Sequence, residues 1–129
     1  MGFDISRIGN EIDAVAPDGM AVRILCRVRR GSMAHFTLPP DGVSKPVAHH
    51  TVDEVWFFIS GHGEIWRRQG DQEEIHEVSP GTSISIPIGT RFQLRCDSRE
   101  PLTAVGTTMP PWPGHDEAYA VEGPWQPTV

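Results

Sequence analysis

The stretch Gly42–Gly61, GVSKPVAHHTVDEVWFFISG, decides how the rest of the chain is read. It opens on a glycine, carries the adjacent histidines His49 and His50 and the carboxylate Glu54, and runs through apolar Val55–Ser60 into Gly61-His62-Gly63. A short apolar run closed by glycines reads as a buried strand entering a hairpin turn. Imidazole and carboxylate at the mouth of such a strand form the donor set of many catalytic transition-metal sites.

Outward from this stretch, strand patterns dominate. Glu64–Gln69 and Glu73–Val78 are separated by the turn Gly70-Asp71, and Thr82–Ile86 lies between Ser79-Pro80-Gly81 and Pro87. In Arg91–Cys96, Phe92, Leu94 and Cys96 share one face and Arg91, Gln93 and Arg95 the other; Leu102–Thr108 follows as a last core strand. Upstream, Val22, Ile24, Cys26 and Val28 alternate with Arg23, Leu25, Arg27 and Arg29, and Ser32–Leu38 ends at the turn Pro39-Pro40-Asp41-Gly42. Helical periodicity is absent from every window of useful length, and short strands at near-regular spacing mean a β-sandwich or barrel. The segment from Met109 to Val129 differs, with five prolines and two tryptophans. It is too apolar for a free tail and is expected to pack Trp112, Tyr119 or Trp125 onto the barrel or a partner subunit, with a helical turn at Asp116–Tyr119.

At 129 residues the chain suits one domain that buries roughly two thirds of its unfolded surface. A net charge of −6 and a pI near 5.4 argue against nucleic acid or an anionic membrane as partner. No apolar run reaches the ~20 residues of a membrane helix, and MGFDISRIGN lacks the features of an export signal. A cytoplasmic location is expected. Cys26 and Cys96 read as buried reduced thiols; a disulfide would need their strands to adjoin.

The glycine and proline framework resembles the cupin family, small jelly-roll barrels with a metal inside. Its first motif runs Gly, five residues, His, one residue, His, three or four residues, Glu, six residues, Gly, and Gly42, His50, Glu54 and Gly61 match it. Its second runs Gly, five residues, Pro, one residue, Gly, two residues, His, three residues, Asn, and Gly81, Pro87 and Gly89 match it. The resemblance implies an all-β, single-domain jelly-roll barrel (a double-stranded β-helix) over residues 1–109, with the Pro/Trp-rich segment 110–129 packed on it. It also implies a homodimer.

The donor positions of the two motifs are incomplete. Ala48 holds the first histidine position, Phe92 that of the second-motif histidine and Cys96 that of the asparagine. A one-residue shift to the four-residue spacing makes His49 the second histidine and puts Val47 first. Strand neighbours alternate, so only one of His49 and His50 faces inward, and the loop-like segment before Glu54 leaves both registers open.

The candidate metal ligands are therefore His49, His50, Glu54 and His35, the last sharing a strand with Met33 and Thr37. Glu54 and His50 are the candidate catalytic residues. Trp56, Phe58, Trp66 and Phe92 are expected to form the core and line a ring-walled pocket. Two readings follow. One is a small-molecule enzyme of oxygenase, isomerase or lyase type, with iron, nickel, zinc or manganese on a reduced His/Glu site. The other is a metal-free cupin that binds a small ligand or works by acid–base chemistry.

Overall fold

The computed structural model describes residues 2–129, and among them strands dominate. In chain order these are β1 (Ala14–Val15), β2 (Ala21–Val28), β3 (Gly31–Leu38), β4 (Val47–His49), β5 (Asp53–Ser60), β6 (Gly63–Gln69), β7 (Gln72–Val78), β8 (Ser83–Ile86), β9 (Arg91–Cys96), β10 (Leu102–Met109) and β11 (Ala118–Ala120). A 3₁₀ turn, His115–Glu117, precedes β11. The six-stranded sheet runs β1-β2-β3-β10-β5-β8 and the five-stranded sheet β11-β4-β9-β6-β7, with every pairing antiparallel. This is the all-β cupin architecture that the glycine framework implied.

One core joins the two sheets. Phe36, Leu38, Trp56, Phe58, Ile84 and Leu102 come from the first, and Val47, Ile65, Val78, Phe92, Leu94 and Cys96 from the second. Each large side chain removed from water contributes roughly 1.5–3 kcal/mol, so the alternation that aims these residues inward fixes the strand register. Gly61 ends β5 with φ +79, and a Cβ there would collide with the Pro101 carbonyl. Glycine is required at that turn.

Two strands differ from their sequence pattern. β5 reads as apolar throughout, yet only Glu54, Trp56 and Phe58 are buried, while Val55, Phe57 and Ile59 face outward. In β2 the register shifts between Ile24 and Arg27, a bulge that breaks the alternation and leaves Ile24 and Val28 exposed. Both cysteines are free thiols. No helix among the described residues is long and apolar enough to cross a membrane.

The segment after the cis Met109–Pro110 peptide returns to the body of the fold. There β11 pairs with β4 through Ala118↔His49, Tyr119↔Ala48 and Ala120↔Val47. A helical turn is present at His115–Glu117, starting one residue before the expected Asp116–Tyr119, whose last two residues belong to β11 instead.

Candidate functional site

A cavity of about 230 Å³ opens between the sheets, and its wall includes Val47 and His49 on β4, Glu54 on β5 and Phe92 on β9, which stand at four donor positions of the two motifs in the His49 register. All three β4 residues are buried, but Val47 and His49 line the cavity while Ala48 does not. Strand parity thus selects the register in which four residues separate His49 from Glu54. His50 is exposed: its ring stacks on Tyr119 with centroids 4.3 Å apart, and its N–H donates to the Glu117 carbonyl at 2.9 Å.

His49 and Glu54 are only 6% and 3% exposed. Nδ1 of His49 lies 2.8 Å from Oε2 of Glu54. Both atoms are buried and neither has a hydrogen-bond partner of good geometry. The other carboxylate oxygen, Oε1, accepts the Trp56 indole N–H at 3.2 Å. Phe92 and Trp112 meet the imidazole edge-on, with centroids at 5.3 and 5.1 Å. An imidazole and a carboxylate held in apolar walls interact strongly, because little solvent screens them.

A third ionisable group lines the same cavity. Asp18 follows β1 in the turn Ala16-Pro17-Asp18-Gly19, is 5% exposed, and accepts the Met20 N–H on Oδ1 at 3.0 Å. Burial pushes its carboxyl up to about 6, and the Glu54 charge adds to the rise, while the Met20 N–H and His49 oppose it. The sequence reading missed Asp18, since a Pro-Asp-Gly turn ordinarily places its aspartate in solvent.

The remaining candidates are dispersed. His35 is the Cα partner of Arg23 and Val105 and is not among the cavity residues. Burial, and then the Arg23 charge, lower its pKa. Phe36 and Trp56 stack at 4.6 Å in the cavity wall. Phe58 is core beneath that wall, and Trp66, also buried, donates its indole N–H to Glu73 at 2.6 Å; neither lines the cavity.

The C-terminal segment completes the rim. Trp112 and His115 line the cavity, and the Trp112 N–H donates to Ser32 Oγ at 3.0 Å. Glu117 accepts the backbone N–H groups of Thr51 and Val52 at 2.7 and 3.1 Å, and the Thr51 hydroxyl as well. Burial works against ionisation of this carboxyl, but those hydrogen bonds outweigh it and hold the pKa below its ordinary value. The loop joining His49 to Glu54 is clamped from the tail.

The fit to a transition metal is poor. Catalytic sites ordinarily offer three protein donors, whereas here Val47 and Phe92 occupy two of the four motif donor positions. Among the described residues no group of three His, Cys, Asp or Glu side chains comes together to hold an ion. His49 and Glu54 alone make a two-donor set.

Comparison with known proteins places this site in context. A family model described as Cupin domain matches residues 34–108. Acireductone dioxygenase from Exiguobacterium sibiricum is 38% identical over 68 residues, covering 50% of this chain and 37% of that protein. The protein of the same name from Bacillus velezensis is 40% identical over 68 residues, covering 50% and 38%. The match spans less than two fifths of either relative. Among solved structures, KdgF from Halomonas sp. superposes with a TM-score of 0.67 at 17% identity, over 81% of this chain and 93% of that one. The capsular polysaccharide assembling protein CapF from Staphylococcus aureus gives 0.72 at 18% identity, over 91% of this chain and 35% of that one. At such identities the likeness is one of fold.

Proposed function

The chain belongs to the cupin family, its residues 34–108 matching the family model, and on that premise we propose that it is a small-molecule enzyme using acid–base chemistry centred on His49 and Glu54. The observation that carries this reading is the buried His49–Glu54 contact, set in a cavity whose other two motif positions are the apolar Val47 and Phe92.

In this reading Glu54 is the base. Trp56 fixes one carboxylate oxygen, so the other, Oε2, is the atom that accepts a proton. His49 lies 2.8 Å from that oxygen and takes the opposite role, donating or relaying the proton to another atom of the substrate. Asp18, held in its turn by the Met20 N–H, is a second carboxyl that holds its proton at mildly acidic pH. The aromatic walls exclude water and so strengthen each of these interactions. A cavity of about 150 Å³ is enough for benzene, so about 230 Å³ suits a substituted single ring or a compound of similar bulk.

The metal-dependent reading draws support from the relatives named acireductone dioxygenase and from the orphaned Nδ1 and Oε2 atoms. The two-donor set weighs against it. Elemental analysis of untagged protein, purified without chelators and again after incubation with iron, nickel, zinc or manganese, separates the two. The acid–base reading expects substoichiometric metal in both preparations, together with a small cyclic ligand that binds the parent and not Glu54→Gln. One equivalent of metal, lost in His49→Ala, would replace it with the metal-dependent reading.

A further inference from the structure

The bulge in β2 brings a cation into the cavity wall. Val22 and Ile24 stand opposite Phe36 and Ala34, and all four line the cavity. Continued without interruption, this register would set Cys26 against Ser32 and carry Arg27 round to the far face with Arg23. The extra residue between Ile24 and Arg27 re-phases the strand, so that Arg27 pairs with Ser32 and lines the cavity while Cys26 does not. Arg23 is committed elsewhere, donating to the carbonyls of Gly9 and Asn10 at 2.8 and 2.7 Å. Arg27 is exposed at the cavity mouth, and among the described residues it has no ion-pair partner.

Arg27 ends a polar row that starts at Glu54. Glu54 pairs with Thr108, Thr108 with Ser32, and Ser32 with Arg27, across the adjacent strands β5, β10, β3 and β2. All four residues line the cavity. The Ser32 and Thr108 hydroxyls share a hydrogen bond of 2.6 Å, and the Trp112 N–H donates to Ser32 Oγ. Three strand spacings of ~4.8 Å put the backbones of Arg27 and Glu54 about 14 Å apart. Side chains reaching inward from both ends leave room between them for a molecule of single-ring size. The row thus offers a guanidinium at the mouth, hydroxyls in the middle and a carboxylate inside.

We infer that the substrate is a carboxylic acid of single-ring size carrying one negative charge, with its carboxylate on Arg27 and its reacting end at Glu54 and His49. This rests on the acid–base reading of those two residues. A guanidinium fork meets a carboxylate through two parallel hydrogen bonds, which fix direction as well as position. Because Arg27, Ser32, Thr108 and Glu54 stand in one line, a ligand held by its head at the mouth points its other end at the base. Charge limits the head to a monoanion. Among the described lining residues Arg27 is the one permanent cation, set against the carboxyls of Glu54 and Asp18. A phosphate dianion would enter a wall with too little positive charge to hold it.

The test titrates labelled protein with benzoate and with its neutral counterpart benzamide, reading affinity from backbone-amide chemical shifts. The parent should bind benzoate about tenfold more tightly than benzamide, the low end of what a hydrogen bond to a charged group contributes. Arg27→Gln should lose that preference by weakening benzoate alone. Arg29→Gln removes the same charge from the neighbouring turn, outside the cavity lining, and should keep it. A parent that binds both probes alike, or neither at millimolar concentration, overturns the inference, and so does a preference that survives Arg27→Gln. Tighter binding of phenyl phosphate than of benzoate would overturn the carboxylate assignment. The acid–base reading fails separately, through 4-hydroxybenzoate, whose hydroxyl reaches toward Glu54. If its affinity is the same in Glu54→Gln while benzoate still depends on Arg27, the carboxylate site stands and the base is misassigned.

Discussion

Val47 and Phe92 are Cα partners across β4 and β9, and both line the cavity beside His49 and Glu54. The two histidine positions missing from the cupin motifs therefore face one another, and one apolar contact fills both. Loss of a single imidazole would leave an odd polar hole, whereas a Val–Phe pair closes it. The cavity is consistent in this respect: apolar where donors are missing, polar where they remain.

Restoring the missing donors should restore metal affinity. Val47→His/Phe92→His places two imidazoles beside His49 and Glu54, a four-donor set of the kind that holds zinc or nickel. The double variant should bind one equivalent of zinc and the parent far less, as read by calorimetry. Equal binding by both proteins would show that the wall positions are misassigned.

Glu54→Gln keeps the size of the side chain and an acceptor for the Trp56 indole N–H while removing the base. Ligand-dependent turnover should fall by about 10²–10⁴ with the circular dichroism spectrum unchanged. Asp53 offers the control: it is exposed and its carboxylate accepts the Ile88 N–H, so Asp53→Asn should leave turnover at the parent's level.

Asp18 gives a signed pH dependence. Its carboxyl is raised in the fold from 3.8 to about 6, so between those values the folded state holds the proton more tightly than the unfolded chain. Stability from this group is complete below the lower value and is lost as pH rises through the upper one. The loss is about 3 kcal/mol at most, or several degrees in melting temperature. Asp18→Asn keeps the oxygen that accepts the Met20 N–H and should flatten the profile, melting higher than the parent at pH 8. Parallel pH profiles for the two proteins would remove Asp18 from the account.

Glu117→Ala removes the acceptor for two backbone N–H groups and the Thr51 hydroxyl. Loss of buried partners of this kind costs roughly 1–3 kcal/mol. Amide exchange should quicken at Thr51, Val52 and along β11, and tryptophan emission should shift as Trp112 loses its setting. An exchange pattern identical to the parent's would mean that the tail is held by other contacts.

The fold was legible because its signals are local. Gly61, Gly81 and Gly89 all take positive φ in tight turns, and Phe92, Leu94 and Cys96 of β9 are buried together as the sequence reads, although Gln93 between them is buried as well. The site was half legible. Glu54 follows from the motif, but the choice between His49 and His50 depends on the pairing of β4 with β9 and β11, contacts with residues more than forty positions away. His35 was drawn into the candidate set because parity within one strand does not say which face looks inward. The side is decided by β10, which aligns Ala104 with Phe36 in the core and Val105 with His35 on the opposite face. Asp18 carried no local signal, since its burial comes from tertiary closure over an ordinary turn.

The pairing of β11 with β4 changes what counts as the smallest working unit of this protein. A shortened chain ending at Met109 would retain Asp18, His49 and Glu54, and every turn of the cupin framework. It would lose the neighbour on one side of a three-residue strand, leaving His49 supported only by β9. Such a truncation would look complete to any comparison of motifs and would still present its imidazole at the wrong place. Swapping tails between homologous chains is thus an experiment on the site itself, and the last twenty residues are the ones to exchange first.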